Sequence, residues 1–192
     1  MRAVFLYIIV AFASCVLGIS SAGYILDSGI QFGKVTFGPW DAWPSAGEPG
    51  SDPYSNALFA RSGSVWLSNT EGLMLIANRD DSGQRLRPDC SYRLVGEIPR
   101  ARLWTLSVED AGTGDASRSS SLSSQDVIWR EDKSLEVTIS SQVTPWNWLP
   151  VEGDRTFNVI LRLYDTPLTS GALEGVIEPP SIVRGACTNA VS

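Results

Sequence analysis

The side chains with chemical reach in this 192-residue chain are carboxylates, arginines and tryptophans, gathered at a few places. Glu109-Asp110 closes an alternating apolar segment, where two acids can serve as general acid and base or as nucleophile. Arg162 interrupts Phe157-Asn158-Val159-Ile160-Leu161, where its fork can clamp a carboxylate or phosphate or pair with Asp110 or Glu136. Arg100 and Arg102, beside Pro99, offer the same two roles. Asp80-Asp81-Ser82-Gly83 has oxygens for calcium but not the alternating acidic ladder, and reads as a hairpin turn. Tryptophans arrive in pairs beside prolines, Trp40 with Trp43 and Trp146 with Trp148. Exposed, such rings stack on sugars; buried, they are apolar plugs whose indole N–H seeks a carbonyl. Burial is the expectation, with one ring of each pair free to face outward. The candidate ligand or partner surface is therefore Trp40, Trp43, Trp146 and Arg162.

The composition excludes much. There is no histidine, so no Ser-His-Asp triad, no Cys-His pair and no imidazole metal site. Three cysteines cannot build a tetracysteine zinc site within one chain. No catalytic residue, metal or cofactor is assigned. Of 15 basic residues only Lys34 and Lys133 are lysine, the net charge is −6, and no basic run matches a phosphate backbone. Nucleic acid is not an expected partner. Arginine over lysine favours forked contacts to carboxylates and aromatic faces.

What must position these groups begins with the N-terminus. Residues 3–26 carry no charge, enough for a membrane span of ~20 apolar residues. Arg2 precedes the run and Asp27 follows it, which orients the rest of the chain outward. Cleavage after Ala22 is the competing reading, disfavoured because Tyr24-Ile25-Leu26 continues the apolar run; a lipoprotein site at Cys15 is weaker. Ser14, Gly18 and Ala22 form a small-residue stripe that such segments commonly carry. The expected organisation is a transmembrane anchor at 1–26 and a β-sandwich domain at 27–192. Its setting would be the cytoplasmic membrane, single-pass, with the domain periplasmic or otherwise extracytoplasmic. In that oxidising exterior Cys90 and Cys187 are expected to bridge, closing a loop of about 100 residues worth at most ~4.7 kcal/mol. The bridge would pin an otherwise loose C-terminal tail.

Along the domain, 31–37 reads as a strand or extended lead-in and 38–50 as turn and loop. Asp52 caps a short helix that Pro53 opens and Gly63 ends. Strands are predicted at 73–77, 91–95, 103–108, 127–130, 134–140 and 157–164, from alternation such as Leu135, Val137, Ile139 against Glu136, Thr138, Ser140. The serine-rich stretch 111–124 reads as a flexible connection. Many short strands with one short helix predict a mainly all-β antiparallel sandwich, jelly-roll-like.

Several pieces in order, Asp52-Pro53-Tyr54, Tyr92-Arg93-Leu94-Val95-Gly96, Pro99-Arg100-Ala101-Arg102-Leu103-Trp104, Asn147-Trp148-Leu149-Pro150 and Leu161-Arg162-Leu163-Tyr164, resemble the family called domain of unknown function 1214. The motif residues are Arg102, Trp104, Asn147, Trp148, Leu149, Pro150 and Tyr164. The resemblance implies an antiparallel sandwich and no assigned activity. In longer relatives a second uncharacterised domain precedes this one, so a separate chain carrying that companion domain is the implied protein partner, beside the membrane itself. The chain departs from the family where Val176-Ile177 replaces a usual tryptophan, which puts any inherited ligand in doubt. The expected function is a non-catalytic envelope module that binds a protein or glycan; the alternative is a carboxylate-based hydrolase of an envelope polymer.

Overall fold

Residues 2–27, 33–48, 50–62, 66–68, 70–111, 120–132, 134–169 and 177–188 are described by a computed structural model. Helix α1 (Arg2–Asp27) contains the apolar stretch Ala3–Ile25, 23 residues with none buried against the rest of the molecule. It meets the length and composition of a membrane anchor or a signal sequence. Helix α2 (Pro53–Ser62) starts as its residues dictate: the Asp52 carboxylate accepts the Ser55 amide at 2.8 Å.

Among the described residues the strands are β1 (Val35–Phe37), β2 (Trp40–Ala42), β3 (Gly72–Ala77), β4 (Cys90–Gly96), β5 (Leu103–Asp110), β6 (Ser120–Ser123), β7 (Leu135–Ser140), β8 (Trp148–Pro150), β9 (Phe157–Tyr164) and β10 (Ser181–Cys187). They form two sheets, β1-β2-β3-β9-β5-β6 (sheet A) and β10-β4-β7-β8 (sheet B). Every pair in sheet A is antiparallel, and so is sheet B except for β7 with β8, which run parallel. The mainly antiparallel, two-sheet expectation therefore holds, with one parallel edge the sequence did not announce.

Alternation builds the core. Phe157, Val159, Leu161 and Leu163 from β9 meet Trp104, Leu106 and Val108 from β5, and Tyr92, Leu94, Val137 and Ile139 from sheet B. Full burial of each such side chain contributes roughly 1.5–3 kcal/mol. Tyr92 and Phe157 meet edge to face at 5.8 Å. Gly72 is required by close approach, because a Cβ there would collide with the Leu163 carbonyl oxygen. A second small cluster, Trp43 and Ala46 with Trp66 and Ile76, packs apart from this core, the two indoles 4.8 Å apart and edge to face.

Four expectations are corrected. The turn-rich 38–44 contains β2, whose three residues pair with Leu75, Ile76 and Ala77. Segment 127–130 is not a strand. Residues 120–123 of the expected connection are β6, paired with β5. The C-terminal segment, expected to be held by the Cys90–Cys187 bridge alone, is also a strand, since β10 pairs with β4 from Ser181 to Cys187. Gln31, Phe32, Gly63, the connection 112–119, Lys133 and the closing residues 173–176 lie outside the described residues.

Candidate functional site

Asn147 organises the site. It is buried, its amide oxygen accepts the Ile128 N–H at 2.7 Å, and its nitrogen donates to the Ile128 and Glu136 carbonyls at 2.7 and 3.0 Å. The side chain thus does for Ile128 what a neighbouring strand would do, which is why 127–130 carries strand-like residues without joining a ladder. Its backbone carbonyl accepts the Thr138 amide at 2.9 Å, fixing the entry to β8. Trp148, next along, donates its indole N–H to the Ser140 carbonyl at 3.1 Å. Leu149 is fully buried in the core.

Trp146, one residue earlier, faces solvent with 78% of its surface exposed at φ 74°. A bulky residue in the left-handed region is strained and persists only where its surroundings over-determine it. Here the clamp made by the next residue, Asn147, does so. Trp146 lines an open cleft of about 750 Å³ together with Ile128, Trp129 and Arg130 and with Glu136 and Thr138 of β7. Trp129 is 44% exposed and rests edge to face on Trp104 at 6.1 Å. Glu136 is ion-paired with Arg130 and, at 3.7 Å, with Arg93. At the rim the Asp132 carboxylate accepts the Ser134 hydroxyl at 2.6 Å and its amide at 2.9 Å, which holds its pKa below the usual carboxylate range. The cleft therefore combines apolar ring faces with planar polar groups.

A second, smaller cleft of about 360 Å³ lies along Ile98, Pro99, Arg100, Ala101, Arg102 and Trp104, and Trp129 lines it too.

The expected surface residues separate. Trp40 is fully buried, donating its indole N–H to the Pro180 carbonyl at 2.7 Å, and Trp43 is 8% exposed against Trp66. Neither contributes to a surface; each fills apolar space, as large indoles do when a backbone carbonyl or another ring is at hand. Arg162 is part-buried and pairs with Glu109 at 2.9 Å and the Ser107 hydroxyl at 2.9 Å, not with Asp110 or Glu136. Alternation explains this: Ser107 and Glu109 share a face of β5, and Asp110 takes the other. Glu109, Asp110 and Arg162 lie in neither cleft. Cys90 and Cys187 are disulfide-bonded, 97 residues apart in sequence. Arg102 meets Asp165 at 3.8 Å with both side chains largely exposed, Trp104 is buried in the core, and Tyr164 ends β9 opposite Leu103 and Gly72. No group of three acids or cysteines capable of holding a metal is found among the described residues.

Sequence reasoning misses Ile128, Trp129 and Arg130 as site residues, because their apolar-aromatic run, the available signal, suits a strand equally well. It also misses Arg184. This residue donates to the buried Asp80 carboxylate at 2.6 Å, to the Gln84 side chain at 2.7 Å and to the Arg85 carbonyl at 2.7 Å, with its guanidinium 5.5 Å from the Tyr92 ring. Burial alone would raise the Asp80 pKa, but hydrogen bonds from Ser82, Gln84 and Arg184 outweigh it and hold the pKa low. The Tyr92 hydroxyl is pushed up by burial.

A family model described as "Protein of unknown function (DUF1214)" matches residues 71–168, which include β3 to β9 and the whole Trp129–Trp146 cleft. No curated protein matches the chain. Among solved structures, the VPA0106 protein from Vibrio parahaemolyticus is similar at a TM-score of 0.55 and 18% identity, over 71% of this chain and 36% of that one. An uncharacterised protein from Burkholderia cenocepacia is similar at a TM-score of 0.41 and 17% identity, over 59% of this chain and 28% of that one. The similar part thus spans about a third of the length of the Vibrio protein, 36%.

Proposed function

The chain belongs to the DUF1214 family of proteins of unknown function, and from that premise we propose that it is a membrane-anchored, extracytoplasmic module that binds a glycan in the Trp129–Trp146 cleft without cleaving it. Residues 1–26 serve as the single-pass anchor in the cytoplasmic membrane and 27–192 as the envelope-facing β-sandwich domain. The apolar stretch Ala3–Ile25 and the Cys90–Cys187 disulfide support that setting, because such bonds persist in oxidising compartments.

One observation carries the reading: Trp146 is displayed to solvent in a strained backbone conformation, beside a residue whose side chain is wholly committed to holding the cleft wall. A chain that needed Trp146 only for packing would bury it. An exposed indole and a second half-exposed indole in one cleft, with Arg130, Glu131, Asp132 and Thr138 also lining it, suit a ligand with flat apolar faces and many hydroxyls.

The hydrolase alternative is weaker. It needs two acids of unequal pKa across a cleft. Glu109 is engaged by Arg162 away from the clefts, and within the larger cleft Glu136 is engaged by two arginines and Asp132 by Ser134, which leaves Glu131 without a free second acid. A protein-partner reading keeps one specific support: the similar part covers 36% of the Vibrio protein, so in that protein this fold sits beside further chain.

The test is titration of the full-length protein in lipid nanodiscs with a panel of envelope-type oligosaccharides, followed by indole fluorescence and calorimetry. Saturable binding that Trp146→Ala and Trp129→Ala both weaken supports the glycan module. Release of shortened oligosaccharide would establish the hydrolase instead. Recovery of one stoichiometric chain from native membranes, with no glycan binding, would establish the protein-partner reading.

A further inference from the structure

Among the described residues, Trp129 is the one side chain that lines both clefts. The larger cleft also holds Trp146 and Glu136 with its ion pairs. The smaller one also holds Arg100 and Arg102, and among the described residues no carboxylate lines it. The backbone holds both arginines in place: the Arg100 carbonyl accepts the Thr166 hydroxyl at 2.6 Å, and the Arg102 amide donates to the Tyr164 carbonyl at 3.0 Å. Their guanidinium groups are not consumed by that anchoring. Arg102 has one long, exposed contact to Asp165 at 3.8 Å, and such surface pairs contribute little. No ion pair holds Arg100 among the described residues.

We propose that the two clefts form one continuous surface for an acidic glycan, with its rings against Trp129 and Trp146 and its oxyanion, carboxylate or phosphate, between Arg100 and Arg102. The inference rests on the glycan-binding reading and adds the ligand's charge and its path. Arginine forks match the two oxygens of such a group, and the shared tryptophan gives a polymer a continuous apolar track from one cleft to the other. Neither the formal charge of −6 nor the acids Glu131, Asp132 and Glu136 of the first cleft oppose this, because the oxyanion is placed in the second cleft, whose described lining carries two arginines and no acid.

The experiment titrates the full-length protein, in nanodiscs of zwitterionic lipid, with a galacturonate hexasaccharide and with a neutral glucose hexasaccharide. The acidic oligomer should bind about tenfold more tightly. The R100Q/R102Q double variant should erase that preference while changing neutral-oligomer affinity less than about twofold, and W129A should weaken both. Displacement of the acidic oligomer by inorganic phosphate or by acetate supports the oxyanion site and tells which source it prefers. Equal affinity for the two oligomers, or a preference that survives the double variant, overturns the proposal and leaves the glycan reading standing. Failure of both oligomers to bind sinks the glycan reading itself. Binding to phosphatidylglycerol vesicles that the double variant abolishes would also overturn the proposal, by assigning the arginines to lipid.

Discussion

Sheet B has two edges, and they are built in opposite ways. At the β10 edge the most prominent polar groups are spent on the fold. Cys187 is bonded to Cys90, the Arg184 guanidinium serves Asp80, Gln84 and Arg85, the Ile182 carbonyl accepts the Asp81 amide at 3.0 Å, and the Pro180 carbonyl holds Trp40. At the β8 edge the polar groups hold a shape open. Asn147 uses its amide to suspend the Ile128–Arg130 wall, while Trp146 and much of Trp129 remain in solvent. The same kinds of residue occur at both edges. What separates a structural lock from the proposed ligand surface here is whether the donors and rings have been used up, since satisfied buried polar groups specify a structure and unspent exposed ones can recognise something else.

If that contrast is right, damage should be graded by edge. The largest loss should follow removal of the disulfide. Cys187→Ser releases a loop spanning 97 residues and frees β10, and it should cost about 4 kcal/mol in urea unfolding. A loss below ~1 kcal/mol would mean that the remaining contacts of β10 suffice. Next comes Asp80→Asn. Its carboxylate is fully buried while Arg184 stays part-buried, so the variant strands a charge and should cost about 3 kcal/mol. It should also change the acid limb. The Asp80 pKa lies below its ordinary 3.8, so its contribution is complete above that value and disappears as pH falls through the lower folded pKa. Unfolding followed from pH 6 to pH 2 should lose that component in the asparagine variant; an unchanged acid limb would show that other carboxylates govern it.

The two edges also differed in how readily they could be foreseen. Strands such as β7 and β9 announce themselves, because Leu135, Val137, Ile139 and Phe157, Val159, Leu161, Leu163 alternate over enough residues for period two to stand out. β10 has the weaker run Ser181-Ile182-Val183-Arg184, with only Ile182 in the core, so local pattern could not say that it belonged to a sheet. Arg162 was visible as an arginine in need of a partner, yet choosing Glu109 required the register that sets Arg162 opposite Thr105 and Asn158 opposite Glu109. Segment 127–130 was the reverse case. Its residues suit a strand, but a single asparagine, 19 positions away, takes the backbone groups a strand would need. Long-range hydrogen bonding of that kind leaves no trace in periodicity.

Asn147→Ala tests whether the open edge depends on that one amide. Three hydrogen bonds disappear, and the Ile128 N–H and two carbonyls lose their partner, so a cost of about 2 kcal/mol is expected. Hydrogen exchange should rise at Ile128 and its neighbours well before β4 or β9 responds. Uniform exchange across both sheets would show instead that the wall and the core unfold as one unit.

The smallest effect should fall on Trp146, and its sign matters more than its size. At φ 74° a tryptophan carries strain that glycine does not, and with 78% of its surface exposed it returns little packing for it. Trp146→Gly relieves the strain but adds freedom to the unfolded chain, so a net gain of about 0.5 kcal/mol is expected. Trp146→Ala keeps the strained backbone and should fall within ~0.5 kcal/mol of the parent. Both variants should lose glycan binding to the same extent, because both remove the ring. Stability rising while binding falls would mean that the indole is kept at a cost to the fold, as a recognition surface requires. If the glycine variant is instead less stable by more than ~1 kcal/mol, the ring is holding the edge together, and the distinction between the locked and the open side of sheet B disappears.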